Sequence, residues 1–104
     1  MSTTRGAFIR NSPNSITAIF VIDDIQRTFA ATVSPSVPPF TANSATLTYD
    51  DPDLLTSTRS YSGHIGPNTY ELNIANGPKI TGDLIIPGVS PASIVDGSGT
   101  WEES

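Results

Sequence analysis

Ser15-Ile-Thr-Ala-Ile-Phe-Val-Ile22-Asp23-Asp24-Ile25-Gln-Arg-Thr-Phe-Ala-Ala-Thr-Val-Ser34 is the stretch whose reading decides the fold. Ile16, Ala18, Phe20 and Ile22 alternate with Thr17, Ile19 and Val21. Past Asp23-Asp24, Ile25, Arg27, Phe29, Ala31 and Val33 alternate with Gln26, Thr28, Ala30 and Thr32. A period of two is that of a half-buried strand, and the β-branched load disfavours a helix. Aspartate tolerates the left-handed backbone that a two-residue hairpin turn requires. Such a turn pairs Ile22 with Ile25, Phe20 with Arg27 and Ala18 with Phe29. That register keeps both apolar rows on one face.

The same rhythm runs outward. Ser44–Tyr49, Leu54–Ser62, Thr69–Ala75 and Lys79–Ile86 read as further strands. Pro35, Pro38 and Pro39 interrupt the ladder, because proline has no N–H to donate. The segment holding them reads as an extended crossing loop. Asp50-Asp51-Pro52-Asp53 and Gly63–Asn68 read as turns. Parity favours a three-residue loop at Asn76-Gly77-Pro78, which pairs Ile74 with Ile80 and Tyr70 with Leu84 and sets Gly82 opposite Leu72. Pro87-Gly88 and Pro91 mark another turn. Ser93–Val95 and Gly99–Glu102, joined at Asp96-Gly97, form a last short hairpin with Trp101 inward. Residues 1–14 hold one apolar patch, Ala7-Phe8-Ile9, either a first strand or an N-terminal arm. The expectation is a single all-β domain over residues 1–104, an antiparallel β-barrel or β-sandwich of seven to nine short strands. No internal repeat stands out.

Composition excludes more than it assigns. The five cations, Arg5, Arg10, Arg27, Arg59 and Lys79, are scattered through a chain of net charge -5. Nucleic-acid binding needs clustered cations to displace counterions, and anionic membrane surfaces need the same. No partner of either kind is expected. Cysteine is absent, which rules out disulfides, thiolate nucleophiles and zinc–thiolate sites. Without disulfides, without an apolar leader in Met1–Gly6, and without a run of membrane-spanning length, a cytoplasmic placement is expected. Only 14% of residues are charged. A surface so weakly charged repels its own copies poorly, which points to a homo-oligomer.

Candidate sites are few. His64, the one histidine, lies in Ser62-Gly63-His64-Ile65-Gly66, a glycine-flanked stretch where a general base could stand. Asp50, Asp51 and Asp53 could offer oxygens to calcium, but lack the spacing of a known calcium loop, so no metal is assigned. Glu71 and Asp83 fall opposite each other on an outer face in the register above. Tyr49, Tyr61, Tyr70 and Trp101 could line an apolar cavity or stack on a sugar. Arg27 is the charged member of an apolar row and, if buried, needs a partner. It hints at a lined interior. No phosphate loop, nucleophile elbow or metalloprotease motif occurs, and no cofactor is expected. The expectation is a non-catalytic module that binds a small apolar or sugar ligand, or its own copies, through Arg27 and these aromatics. The alternative is a small barrel enzyme of isomerase or cyclase type.

Overall fold

The computed structural model describes residues 2–34, 36–85, 88–89 and 91–103. Pro35, Ile86 and Pro87, given strand-ending roles above, lie outside the described residues. Eight strands make the fold: β1 (Ser2–Ser12), β2 (Ser15–Ile22), β3 (Ile25–Thr32), β4 (Thr41–Tyr49), β5 (Thr58–Ile65), β6 (Thr69–Ile74), β7 (Lys79–Ile85) and β8 (Ser93–Glu103). A single 3-10 turn, Pro52–Leu54, joins β4 to β5. Every pairing is antiparallel, and the order β1-β2-β3-β8-β5-β6-β7-β4 closes into a barrel. An eight-stranded ring is just wide enough for side chains to fill. Here Phe20, Phe29, Ile16, Leu47, Leu72, Ile80 and Tyr70 fill it. No helix among the described residues is long and apolar enough to cross a membrane.

The β2–β3 hairpin pairs Ile22 with Ile25, Phe20 with Arg27 and Ala18 with Phe29, as its alternation requires. Asp23 and Asp24 take φ of 53° and 65°, the left-handed pair of a tight hairpin turn. Ser2–Ser12 is a true strand, clamped between β2 and β4.

Three expectations are corrected. The β6–β7 register is displaced by two residues: Leu72 faces Ile80, and Tyr70 faces Gly82. The loop is one residue longer, with Gly77 at φ 120° donating to the Ile74 carbonyl. Packing of Tyr70 selects this register, because a β-carbon at position 82 would lie 2.6 Å from the Tyr70 hydroxyl. Second, Leu54 does not begin a strand. Asp51 caps the 3-10 turn by accepting from the Asp53 N–H, and Leu55 plugs this end of the barrel. Third, Asp96-Gly97 is no turn. β8 runs straight through it, and Gly97 packs against the Thr32 carbonyl, where a side chain would collide.

The ring is two copies of one arrangement. β4-β1-β2-β3 is a Greek key, and β8-β5-β6-β7 is the same key, with β3–β8 and β7–β4 as the shared edges. The turns match. Pro13-Asn14-Ser15 enters β2, and Pro67-Asn68-Thr69 enters β6. Val33 donates its N–H to Asn14 O at 2.9 Å, and Leu84 to Asn68 O at 2.7 Å. Buried Val37 and Val89 close the same end by donating to Pro13 O and Gly66 O. The strands hide the repeat because equivalent core positions trade volume. Ala18 facing Phe29 becomes Leu72 facing Ile80, and Ile16 facing Ala31 becomes Tyr70 facing Gly82. Each pair still fills its layer.

Two buried phenols make the barrel sensitive to alkali. Burial, aided by the Asp96 carboxylate, pushes Tyr61 up to about 12, while its hydroxyl donates to Thr32 O at 2.6 Å. Burial and Asp83 push Tyr70 up as well, and its hydroxyl donates to Ser44 O at 2.9 Å. Between the ordinary value of 10.0 and the raised one, the folded state holds protons that the unfolded chain has released. The stability they carry is intact below pH 10 and is lost as pH climbs towards 12. Denaturant midpoints should therefore fall across that window, and Tyr61→Phe should flatten the fall. A midpoint constant through the window would contradict the burial of both hydroxyls.

Candidate functional site

The two halves differ at one seam. β5 and β8 pair along eight residues, from Thr58 with Thr100 to Ile65 with Ser93. Their counterparts β1 and β4 pair along five, from Ser2 with Tyr49 to Gly6 with Ala45. Past Gly6, the pairings described for Ala7, Phe8, Ile9 and Arg10 are those with β2, while β1 and β4 stay as close to each other as β5 and β8. On the far side, the pairings described for Thr41 and Ala42 are those with β7, beside an irregularity in register between Ala42 and Ser44.

Side-chain size differs between the two halves here. Phe8, opposite Ala18, stands where the second half has Gly63, opposite Leu72. The Phe8 ring stacks on Tyr70 at 4.3 Å and on Phe40 at 5.8 Å. The three rings stand in file, Phe8 and Tyr70 buried in the core and Phe40 packed against it. Phe40 follows Pro38-Pro39, two residues without an N–H to continue a ladder. The outcome is a groove of about 330 Å³ with Ala7–Arg10 on one wall and Phe40, Thr41 and Ala42 on the other. Ile9 and Ile85 are half exposed at its rim, Ile85 through its pairing with Thr41. Arg10 is the one charged residue of its walls, and its Nε and Nη2 donate to Val37 O at 3.1 and 3.0 Å.

Arg27 lies at the opposite end of the barrel. It is buried in the expected row and meets groups of its own chain: Nη1 donates to Pro52 O at 3.0 Å and lies 3.3 Å from Glu103 Oε1. Among the described residues its Nε has no partner, nor has Trp101 Nε1. Because Glu103 stays half exposed, losing Arg27 strands no buried charge. Arg27→Met should fold with stability within about 1 kcal/mol of the parent, or above it. A loss of several kcal/mol in urea unfolding would make the pair a structural keystone.

Tyr49, Tyr61, Tyr70 and Trp101 are buried in the barrel's interior, so they form no exposed stacking platform. Tyr70 alone reaches the groove's ring stack. His64 stands on β5, not in a loop, because pairing continues to Ile65. It belongs to an outer row running straight across five strands: His64, Glu71, Thr81, Thr46 and Arg5. Glu71 faces Thr81 rather than Asp83, a consequence of the displaced register, and Lys79 holds it at 3.1 Å. The row floors a shallow polar depression in which no hydrogen bond joins His64 to Glu71 among the described residues. Asp50, Asp51 and Asp53 do not converge, and no described group of His, Asp and Glu could hold a metal ion.

The sequence had pointed at the Ala7-Phe8-Ile9 patch but not at Phe40. The one signal for Phe40 is an aromatic set directly after two prolines at the start of a strand. Comparison with protein-family models, with curated proteins and with solved structures finds no match for this chain.

Proposed function

We propose that the chain is a non-catalytic recognition module and that it takes an apolar ligand at the groove between Ala7–Arg10 and Phe40–Ala42. One observation carries the reading. The groove is lined by Phe8, Ile9, Phe40 and Ala42, and half-exposed Ile9 and Ile85 stand beside it. Large apolar side chains left half exposed around a groove fit a binding role. The groove lies at the lower end of the volumes that small ligands occupy. Its apolar walls favour such a ligand over a sugar.

The test is anilinonaphthalene sulfonate fluorescence on the folded protein. Wild type should enhance the dye, and Ala42→Trp, which fills the groove, should abolish the enhancement. Ile94→Ser should leave it unchanged, since Ile94 is 82% exposed on β8 and away from the seam. Equal enhancement in wild type and Ala42→Trp would remove the groove as the site.

A further inference from the structure

We infer that two copies of the chain associate side by side through the outer face of β1, β2 and β3, with Ile19 and Val21 at the centre of the contact and the strands of the two barrels running in opposite senses. This contact is separate from the ligand groove, and stands or falls without it.

The two halves of the barrel supply the first reason, because each serves as a control for the other. An antiparallel sheet with one wet face alternates apolar-in and polar-out. The second half obeys: Ser62, His64, Glu71, Asn73, Lys79 and Thr81 make the outer pairs of β5, β6 and β7. The first half does not. Ala7 and Ile9 stand at the positions equivalent to Ser62 and His64, and Ile19 at that of Asn73. Val21, two residues on, is 55% exposed, and Ala30 is exposed opposite Thr17 on β3. Ala7 pairs with Ile19 and Ile9 with Thr17, so these side chains form one strip and are not scattered singly. A contiguous apolar strip on a wall whose twin is polar marks a contact surface.

Charge selects the partner and its orientation. All ten acidic residues of the chain lie off the strip, and its flanks balance, with Arg5 ahead of it on β1 and Glu102 facing Thr28 from β8. Against a second copy neutral meets neutral, the self-complementarity that a two-fold contact requires. The barrel's two ends differ. One carries the Asp23-Asp24 turn and Asp50, Asp51 and Asp53 of the β4–β5 link; the other carries Arg10 and the uncharged turns Pro13-Asn14 and Pro67-Asn68. Copies set with their strands in the same sense would bring these acidic ends together. Reversed, each acidic end lies beside the partner's Arg10 end. The two acidic ends are then apart on the scale of the 35 Å length of the barrel, well beyond a screening length of ~8 Å. Three strands ~4.8 Å apart offer roughly 500 Å² a side, at the low end of specific interfaces, so the dimer is weak and reversible.

Sedimentation of the folded protein over a concentration series tests the surface. Wild type should pass from monomer to dimer as concentration rises into the high micromolar range. Val21→Glu and Ala30→Glu, both at exposed positions, should each move that passage upward at least about tenfold, because the two-fold buries the new carboxylate twice. Ile94→Glu, the same change at 82% exposure on the β8 face, should leave it in place. Dye enhancement at the groove should survive both strip variants, since neither residue lines it, which also shows that they fold. Cysteine is absent, so a spin label on Asp24→Cys is unique in each copy. Pulsed electron resonance should then read a label-to-label distance on the scale of the 35 Å barrel length. Monomer throughout the series would overturn the inference. So would a dimer that Val21→Glu and Ala30→Glu leave intact, since another face would then hold it. Labels within half the barrel length of each other would set the strands in the same sense and overturn the arrangement.

Discussion

Phe29→Ala should destabilise the protein by about 3–5 kcal/mol, the range for removing a fully buried aromatic ring. Phe29 is 1% exposed and stands at the centre of the β3–β8 edge that joins the two halves. Its ring centroid lies 4.8 Å from that of Trp101 and 6.1 Å from that of Tyr61, the latter edge-on. Beneath it, Gly99 leaves the space the ring occupies, since a β-carbon at 99 would lie 2.6 Å from Phe29 Cζ. The walls around the ring are strands paired on both sides, so collapse around an alanine is restricted. A two-state urea titration reads the loss directly. A change within about 0.5 kcal/mol is the signature of a surface site, and would place Phe29 outside the core.

Gly63→Val should be as damaging for the opposite reason. A β-carbon at position 63 falls onto the Glu71 carbonyl oxygen and lies 3.0 Å from Leu72 Cα. These are backbone atoms of the paired strand and cannot turn aside as a side chain can. Accommodation requires β5 to draw away from β6, which it pairs from Tyr61 to Ile65, or to abandon its pairing with β8, which runs its whole length. Overpacking of this kind costs about 1–3 kcal/mol and more where backbone must shift. Because β5 is paired on both flanks, the upper end is expected, on the order of 3 kcal/mol. Stability equal to wild type would show that a side chain is tolerated at this seam.

Much of the fold is legible in the sequence because alternation acts locally. Residues 15–34 set their own register, since a two-residue turn leaves one way to keep Phe20, Phe29 and Ile22 on one face. The Lys79 hairpin is harder. Its loop of Ala75–Pro78 admits two registers of the same parity, and the choice between them falls to the Tyr70 ring lying over Gly82. That contact is visible only once β6, β7 and β4 stand side by side, because the Tyr70 hydroxyl also bonds to Ser44 O of β4. For the same reason the repeat is obscured. Pro-Asn turns persist in both halves, while facing core residues exchange large for small, so position-by-position likeness is erased and summed volume is kept.

The groove was the least legible feature. Arg27, Tyr61 and Trp101 each stand as a charge or ring in an apolar row, a pattern that marks burial and not access. Phe8 and Phe40 are 32 positions apart, and their meeting depends on β4 returning beside β1 through a long crossing. A groove of this kind has no residue signature of its own, since its walls, Ala7–Arg10 and Phe40–Ala42, come from distant stretches of the chain.

Chemical-shift mapping of the dye on the folded protein, read residue by residue, tests the central claim most directly. Shifts should gather at Ala7–Arg10 and Phe40–Ala42, which line the groove, and leave the β8 face around exposed Ile94 unmoved. Shifts scattered over the barrel, or none at Ala7–Arg10, would contradict the groove as the recognition site.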